Sequence, residues 1–138
     1  PLHALARGAA NIADAGAQPA ERQEAIGRIR AAIAAEPFMI AGDGRACSDI
    51  ISALDGKAYI KLGAEGVFFA PLLERGFGLA LKVRDGALRA ADTAIASLLA
   101  YLGLLDGAAE EKLAAYIETP LANWRGIHVG TVRAVLEK

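Results

Sequence analysis

The sequence predicts a mixed α/β fold of the α+β type, in which helices flank an antiparallel sheet. Apolar residues recur at helical spacing near the amino-terminal end and again over residues 87–103, and three short apolar runs lie between these segments. With 138 residues, 54% of them hydrophobic, the chain can bury the core of one ordinary domain. We therefore expect a single unit, residues 1–138, in which helices cover the sheet.

Two helices are predicted in the amino-terminal third. A helical pattern of apolar residues extends over about 2–15, until Gly16 and Pro19 interrupt it. Pro19 suits the first turn of a second helix at about 20–35, and Pro37 prevents that helix from continuing. We expect the first helix to be amphipathic, and in the second Ile26, Ile29 and Ile33 share one face.

A loop and a short helix are predicted next. Residues 38–45 alternate apolar side chains with glycine, which is typical of a loop. Ser48 is a candidate N-cap for a helix through Leu54, and Asp55-Gly56 ends that helix.

Three strands follow, at Ala58–Leu62, Val67–Leu73 and Phe77–Val83. The three residues 74–76 between the last two strands suit a hairpin, so we expect antiparallel pairing. Apolar residues at both odd and even positions of the middle strand indicate that both of its faces are covered. Pro71 instead favours an edge or a bulge at that point.

The remaining segments predict one long helix and two weaker elements. The long helix, about 87–103, carries an apolar stripe and can be capped by Gly103. A second helix is predicted near 109–117, whereas 127–135 fits either a strand or a helix. We expect the long helix to cover one face of the sheet.

Charge and composition exclude several classes of function. The 15 basic and 16 acidic residues nearly cancel without forming a basic stripe, so nucleic acid is not an expected partner. No apolar run is long enough to span a membrane, and no signal peptide is evident. One cysteine, Cys47, cannot form an internal disulfide, and we expect a cytoplasmic protein.

Lys61 is the most informative candidate site residue. It ends an apolar strand and is followed by Leu-Gly-Ala-Glu-Gly66, where small residues allow a ligand to approach the backbone. A lysine at a strand end is also common as a solvated charge, and Glu65 is either a contact for a substrate amine or an ordinary turn carboxylate. The residues alone leave these alternatives open, and they assign no chemistry to Cys47.

Four segments together resemble successive signatures of the bacterial L-asparaginase II family. They are Ala41-Gly-Asp-Gly-Arg-Ala-Cys47; Lys61–Gly66 with Val67-Phe-Phe; Gly78-Leu-Ala-Leu-Lys-Val-Arg-Asp-Gly86 with Arg89-Ala-Ala; and Asn123-Trp-Arg-Gly126 with Val129-Gly130. They occur in the family's order, and the similarity extends over roughly residues 2–134. The chain resembles the carboxy-terminal portion of one such domain.

The resemblance implies a fold like that of serine beta-lactamases and penicillin-binding proteins, present here as a partial domain. It implies hydrolysis of L-asparagine to L-aspartate and ammonia, no cofactor and a homodimer. In the family a Ser-x-x-Lys pair supplies the nucleophile, and Lys61 aligns with a second catalytic lysine. Gly63, Ala64 and Glu65 would contact the substrate, and the backbone N–H of Ala64 would face the developing oxyanion.

The chain departs from the family pattern at the nucleophile. None of its serines, Ser48, Ser52 and Ser97, begins a Ser-x-x-Lys sequence. The family's metal-binding cysteines also lie before the matching region, so we expect no metal site in this chain. We therefore expect the isolated chain to be inactive. Two alternatives stay open, a non-catalytic fragment or structural domain of the same fold and a penicillin-interacting or glutaminase-like serine hydrolase.

Overall fold

Six helices and five strands make up residues 1–136, the part of the chain that the computed structural model describes. The helices are α1 (Leu2–Ala13), α2 (Ala20–Ala35), α3 (Phe38–Ala41), α4 (Ala46–Leu54), α5 (Leu88–Tyr101) and α6 (Gly107–Ile117). The strands are β1 (Lys61–Gly63), β2 (Val67–Leu72), β3 (Phe77–Lys82), β4 (Glu118–Ala122) and β5 (His128–Arg133). The mixed α+β prediction is confirmed.

The central sheet has the order β1-β2-β3, and both pairings are antiparallel. Lys61 lies opposite Phe69, and Pro71 lies opposite Gly78. The predicted hairpin between β2 and β3 is therefore confirmed. Pro71 lies in the middle strand, where its carbonyl accepts the Tyr59 N–H on one side and Gly78 pairs with it on the other. The prediction of an edge or a bulge at Pro71 is therefore wrong.

Helix α1 packs against one face of the sheet, across β2 and β3. Gly78 allows this close approach, because a Cβ atom there would lie 1.9 Å from the carbonyl oxygen of Ala6 and 2.3 Å from the nitrogen of Ala10. Ala9, on the same helix, is 1% exposed. Small residues on both elements thus bring the helix backbone onto the sheet.

The main hydrophobic core lies on the opposite face. Phe68 and Leu72, which alternate with the α1-facing residues of β2, pack with apolar side chains of α4, α5 and α6. Ile50 of α4 and Ile95 of α5 have no exposed surface. The prediction that both faces of the middle strand are covered is therefore confirmed.

Three other local predictions are also wrong. Helix α4 begins at Ala46 with Arg45 as its N-cap, so Ser48 is a buried helical residue and not the cap. The predicted loop at 38–45 contains the single helical turn α3. The first strand pairs over Lys61–Gly63, and of residues 58–60 only Ala58 forms a bridge, to Leu72. A single-turn helix and a short strand produce too few periodic positions for the sequence to define their limits.

Helix α5 ends at a capping residue, and helix α6 begins at one. Gly103 has a φ of 68° and follows α5, where its N–H bonds the carbonyl of Ala100 while the N–H of Leu104 bonds the carbonyl of Leu99. This is the Schellman arrangement that glycine favours, and it confirms the predicted cap. Helix α6 begins two residues earlier than predicted, because the Asp106 carboxylate accepts the Ala109 N–H.

The carboxy-terminal residues form a two-stranded antiparallel sheet, β4-β5. This decides the ambiguity over 127–135 in favour of a strand, and it adds the strand β4, which contains Pro120 and was not predicted. Asn123 organises the connecting turn, because its side-chain oxygen accepts the N–H groups of Arg125 and Ile127. Within residues 1–136 no helix is both long and apolar enough to cross a membrane.

Candidate active site

A cavity of about 180 Å³ opens where β1 meets the start of α4 and the first half of α5. It combines apolar walls with three charged side chains. The lining residues are Ile40, Ala41, Arg45, Ala46, Cys47, Lys61, Leu62, Phe68 and Asp92. Lys61, the candidate that the sequence favoured, thus lies at a cavity and not on an open strand end.

The backbone of β1 is attached to α4 at this cavity. The Leu62 N–H donates a hydrogen bond to the Cys47 Sγ atom over 3.3 Å, and the exposed Lys61 Nζ donates to the Leu62 carbonyl over 3.0 Å. The strand end that carries Lys61 is therefore positioned by a contact with the helix.

Cys47 is 3% exposed and lines the same cavity. Burial raises the pKa of its thiol above the ordinary value of 9.0, against the smaller opposing effects of the Leu62 N–H and the Lys61 charge. Because the thiolate is the nucleophilic form of cysteine, this thiol is poorly suited to attack a substrate at neutral pH. Its contact with Leu62 gives it a structural role.

Asp92 reaches the cavity from α5. One of its carboxylate oxygens, Oδ1, is buried and has no hydrogen-bond partner within residues 1–136. Burial raises the pKa of Asp92, and the positive charge of Arg45 partly offsets that rise. Arg45 is exposed, and among the described residues no carboxylate lies within 4.0 Å of its guanidinium. The two side chains therefore interact electrostatically without forming an ion pair.

The other predicted site residues lie beside the cavity and not in its lining. Gly63 ends β1, and Ala64 and Glu65 belong to the 3-10 turn Ala64–Gly66 that follows; all three are exposed. Glu65 has a left-handed φ of 60° that L-residues adopt at a cost of about 1 kcal/mol or more. Its carboxylate points towards Gly86, 3.1 Å from where a Cβ atom would stand on that glycine.

A second polar contact joins α4 to α6 close to this site. The Tyr116 hydroxyl donates a hydrogen bond to the Asp49 carboxylate over 2.5 Å. Burial raises the pKa of Tyr116 far above its ordinary value, and the Asp49 hydrogen bond and charge add to the effect. Asp92 contributes in the same direction, which places this pair within electrostatic reach of the cavity.

The profile of the L-asparaginase II family matches residues 1–134 of the chain. The chain belongs to the L-asparaginase II family. Membership of the L-asparaginase II family indicates an asparaginase-type amidohydrolase with a small-molecule substrate. No curated protein is similar enough to this chain to count as a match.

Two charged residues of the cavity, Arg45 and Asp92, were not predicted as site residues from the sequence. Arg45 was part of a family-like segment but had no role there. Asp92 lies four residues after Leu88 and three before Ile95, so a carboxylate interrupts the apolar stripe of α5. That interruption was a usable signal. Within residues 1–136 no group of three or more His, Cys, Asp or Glu side chains is placed to hold a metal ion.

Proposed function

We propose that this chain carries one side of an L-asparaginase active site, with Lys61 as its catalytic residue. The substrate is L-asparagine, and its side-chain amide is hydrolysed to aspartate and ammonia. The nucleophilic serine, in a Ser-x-x-Lys pair, lies outside the residues of this chain. The proposal rests on the family and on the position of Lys61.

One observation supports the assignment of Lys61. Its side chain lines a small cavity whose walls are otherwise mostly apolar, together with two further charged residues. A convergent set of charges in a concave, partly apolar site is a common feature of enzyme active sites. A wider depression of about 630 Å³ is lined by residues of α2 and has only Arg28 as a charged group.

The proposed chemistry is acyl transfer in two steps. The serine hydroxyl loses its proton to a lysine amine and its oxygen attacks the amide carbon; the C–N bond then breaks as a proton passes to the leaving nitrogen, which departs as ammonia. Water hydrolyses the resulting ester to release aspartate and restore the serine. Lys61 is assigned to one of these proton transfers.

Residues 63–65 are proposed as the substrate-binding edge on the sheet side of the cavity. Gly63 and Ala64 carry little side chain, so a substrate carbonyl can approach their backbone, and the Ala64 N–H is the proposed oxyanion donor. Glu65 adds a carboxylate at the end of this edge. Its strained φ is consistent with a positioned functional residue.

The test is Lys61→Met in the protein that also supplies the Ser-x-x-Lys pair. Methionine keeps most of the side-chain volume and removes the amine, so we expect kcat for ammonia release to fall about 100-fold or more while the melting temperature stays close to the parent's. A variant that keeps at least about half of the parental kcat contradicts the catalytic role.

Lys82→Met is the matched control. Lys82 is also exposed on a strand of the same sheet, and its Nζ also donates to the carbonyl of the next residue, Val83, but it does not line the cavity. We expect its kcat to stay within about twofold of the parent's, as for an ordinary surface substitution. Glutamine and a penicillin, tested as substrates, distinguish the proposed asparaginase activity from the glutaminase-like and penicillin-interacting alternatives.

The isolated 138-residue chain provides a second test. Because it contains no Ser-x-x-Lys sequence, we expect no ammonia release from L-asparagine above background in a coupled assay. Turnover of about 1 per second or faster, in the ordinary enzyme range, would place the nucleophile within this chain and refute the proposal.

A further inference from the structure

We propose that Arg45 and Asp92 recognise the substrate as an amino acid, with Arg45 binding its α-carboxylate and Asp92 binding its α-ammonium group. This inference rests on the proposed function, because it takes the side-chain amide to face Lys61. It assigns to the cavity the specificity that separates a free amino acid from other amides.

The charges around the cavity favour this assignment. Of the nine lining residues only Arg45, Lys61 and Asp92 carry a full charge. A free amino acid brings one negative and one positive group in addition to its side chain. If Lys61 serves the reacting amide, Arg45 is the remaining cation for the α-carboxylate and Asp92 the anion for the α-ammonium.

Asp92 has the unmet hydrogen-bonding capacity that such a ligand would satisfy. Its Oδ1 atom is buried and has no partner within residues 1–136. Leaving a buried carboxylate oxygen unpaired is costly, and an ammonium group offers three N–H donors and a compensating charge. A substrate amine would therefore supply the hydrogen bond and the opposite charge that this carboxylate oxygen needs.

Arg45 complements Asp92 without neutralising it. Its charge acts on the Asp92 carboxylate, yet among the described residues no carboxylate lies within 4.0 Å of its guanidinium. The planar guanidinium can bind a carboxylate through two parallel N–H donors. A zwitterion between the two side chains would give each one an opposite charge.

The size and the construction of the cavity also fit a small amino acid. About 180 Å³ is below the range of roughly 300–1,000 Å³ for sites that hold drug-sized ligands. Arg45 stands at the start of α4 and Asp92 lies within α5, so both are fixed by helices that the main core holds together. Rigid elements of this kind keep the backbone positions of the two residues constant.

The test combines two substrate analogues with two variants of the full chain. Succinamic acid is asparagine without its α-amino group, and 3-aminopropanamide is asparagine without its α-carboxylate. Dissociation constants are measured by amide NMR titration of the parent, Arg45→Gln and Asp92→Asn. Circular dichroism checks that each variant is folded.

We expect each analogue to bind the parent about 10-fold or more weakly than L-asparagine, since each lacks one charge-assisted contact. Asp92→Asn should bind asparagine and succinamic acid within about threefold of each other while still discriminating against 3-aminopropanamide. Arg45→Gln should show the reverse pattern. The exposed controls Arg7→Gln and Glu111→Gln should retain both discriminations.

Three results would overturn the inference. The first is the absence of a saturable shift when L-asparagine is added to the parent. The second is that both variants keep the parental discrimination against both analogues. The third is that Glu65→Gln, but not Asp92→Asn, loses discrimination against succinamic acid. These outcomes are separate from the test of the proposed function. A large loss of kcat in Lys61→Met with unchanged discrimination in both variants rejects only the roles of Arg45 and Asp92. An unchanged kcat in Lys61→Met, together with the expected loss of discrimination in both variants, rejects only the role of Lys61.

Discussion

Replacing Gly78 with alanine tests how α1 is held on the sheet. The new Cβ atom would lie 1.9 Å from the Ala6 carbonyl oxygen, 2.3 Å from the Ala10 nitrogen and 2.9 Å from the Ala9 carbonyl carbon. All three are backbone atoms of one helix, so no side-chain rotation can relieve the contact. To reach even 3.0 Å, the shortest separation that real Cβ atoms show, the Ala6 oxygen must retreat by at least about 1.1 Å.

This displacement sets the expected loss of stability. Forcing extra methyl groups into a packed interface costs about 1–3 kcal/mol, and the upper part of that range applies where backbone has to move. We therefore expect Gly78→Ala to lower the free energy of unfolding by about 2–3 kcal/mol in urea titrations. Amide hydrogen exchange should accelerate mainly in α1, which buries Ala9 and Ala13 against the sheet.

Gly8→Ala is the matched control, because it makes the same change within α1 itself. Gly8 is exposed and a Cβ atom there would meet nothing within 4 Å, so we expect stabilisation by about 0.5–1 kcal/mol from the higher helix propensity of alanine. If Gly78→Ala leaves the unfolding free energy within about 0.5 kcal/mol of the parent's, α1 does not pack on β3 as closely as described and the reasoning fails.

Two further predictions concern the polar groups near the cavity. Tyr116→Phe removes the hydrogen bond to Asp49, and we expect a loss of about 1–2 kcal/mol in the free energy of unfolding at pH 7; a loss below about 0.3 kcal/mol would contradict the contact. Because the pKa of Tyr116 is raised in the folded parent, its hydrogen bond contributes fully to stability below pH 10.0, the ordinary tyrosine pKa. This stability is lost as the pH rises through the folded-state pKa. The difference in unfolding free energy between parent and variant should therefore shrink in strong alkali. Because burial raises the pKa of the Cys47 thiol, iodoacetamide at pH 8 should label the folded chain more slowly than the urea-unfolded chain, and equal rates would show that the thiol is accessible.

Periodicity and turn chemistry predicted most of the fold. The limits of α2 and the Schellman cap at Gly103 follow from proline, glycine and apolar spacing, which act through the local backbone. The predictions that failed depend on contacts between distant segments. Ser48 is a good N-cap by residue type, but packing of α4 against the core starts the helix at Ala46 and buries Ser48. Strand β4 contains a proline and is defined only by its pairing with β5.

For the site, the sequence by itself determined which residue to test and which family to expect. A lysine at a strand end before small residues, together with family-like segments in order, marked Lys61, because residue type and spacing along the chain carry that information. Only the tertiary structure decided that Arg45, from the start of α4, and Asp92, from the middle of α5, share a cavity with Lys61. They are separated by 47 positions in the chain, and only the packing of α4, α5 and β1 around a common core brings their side chains together.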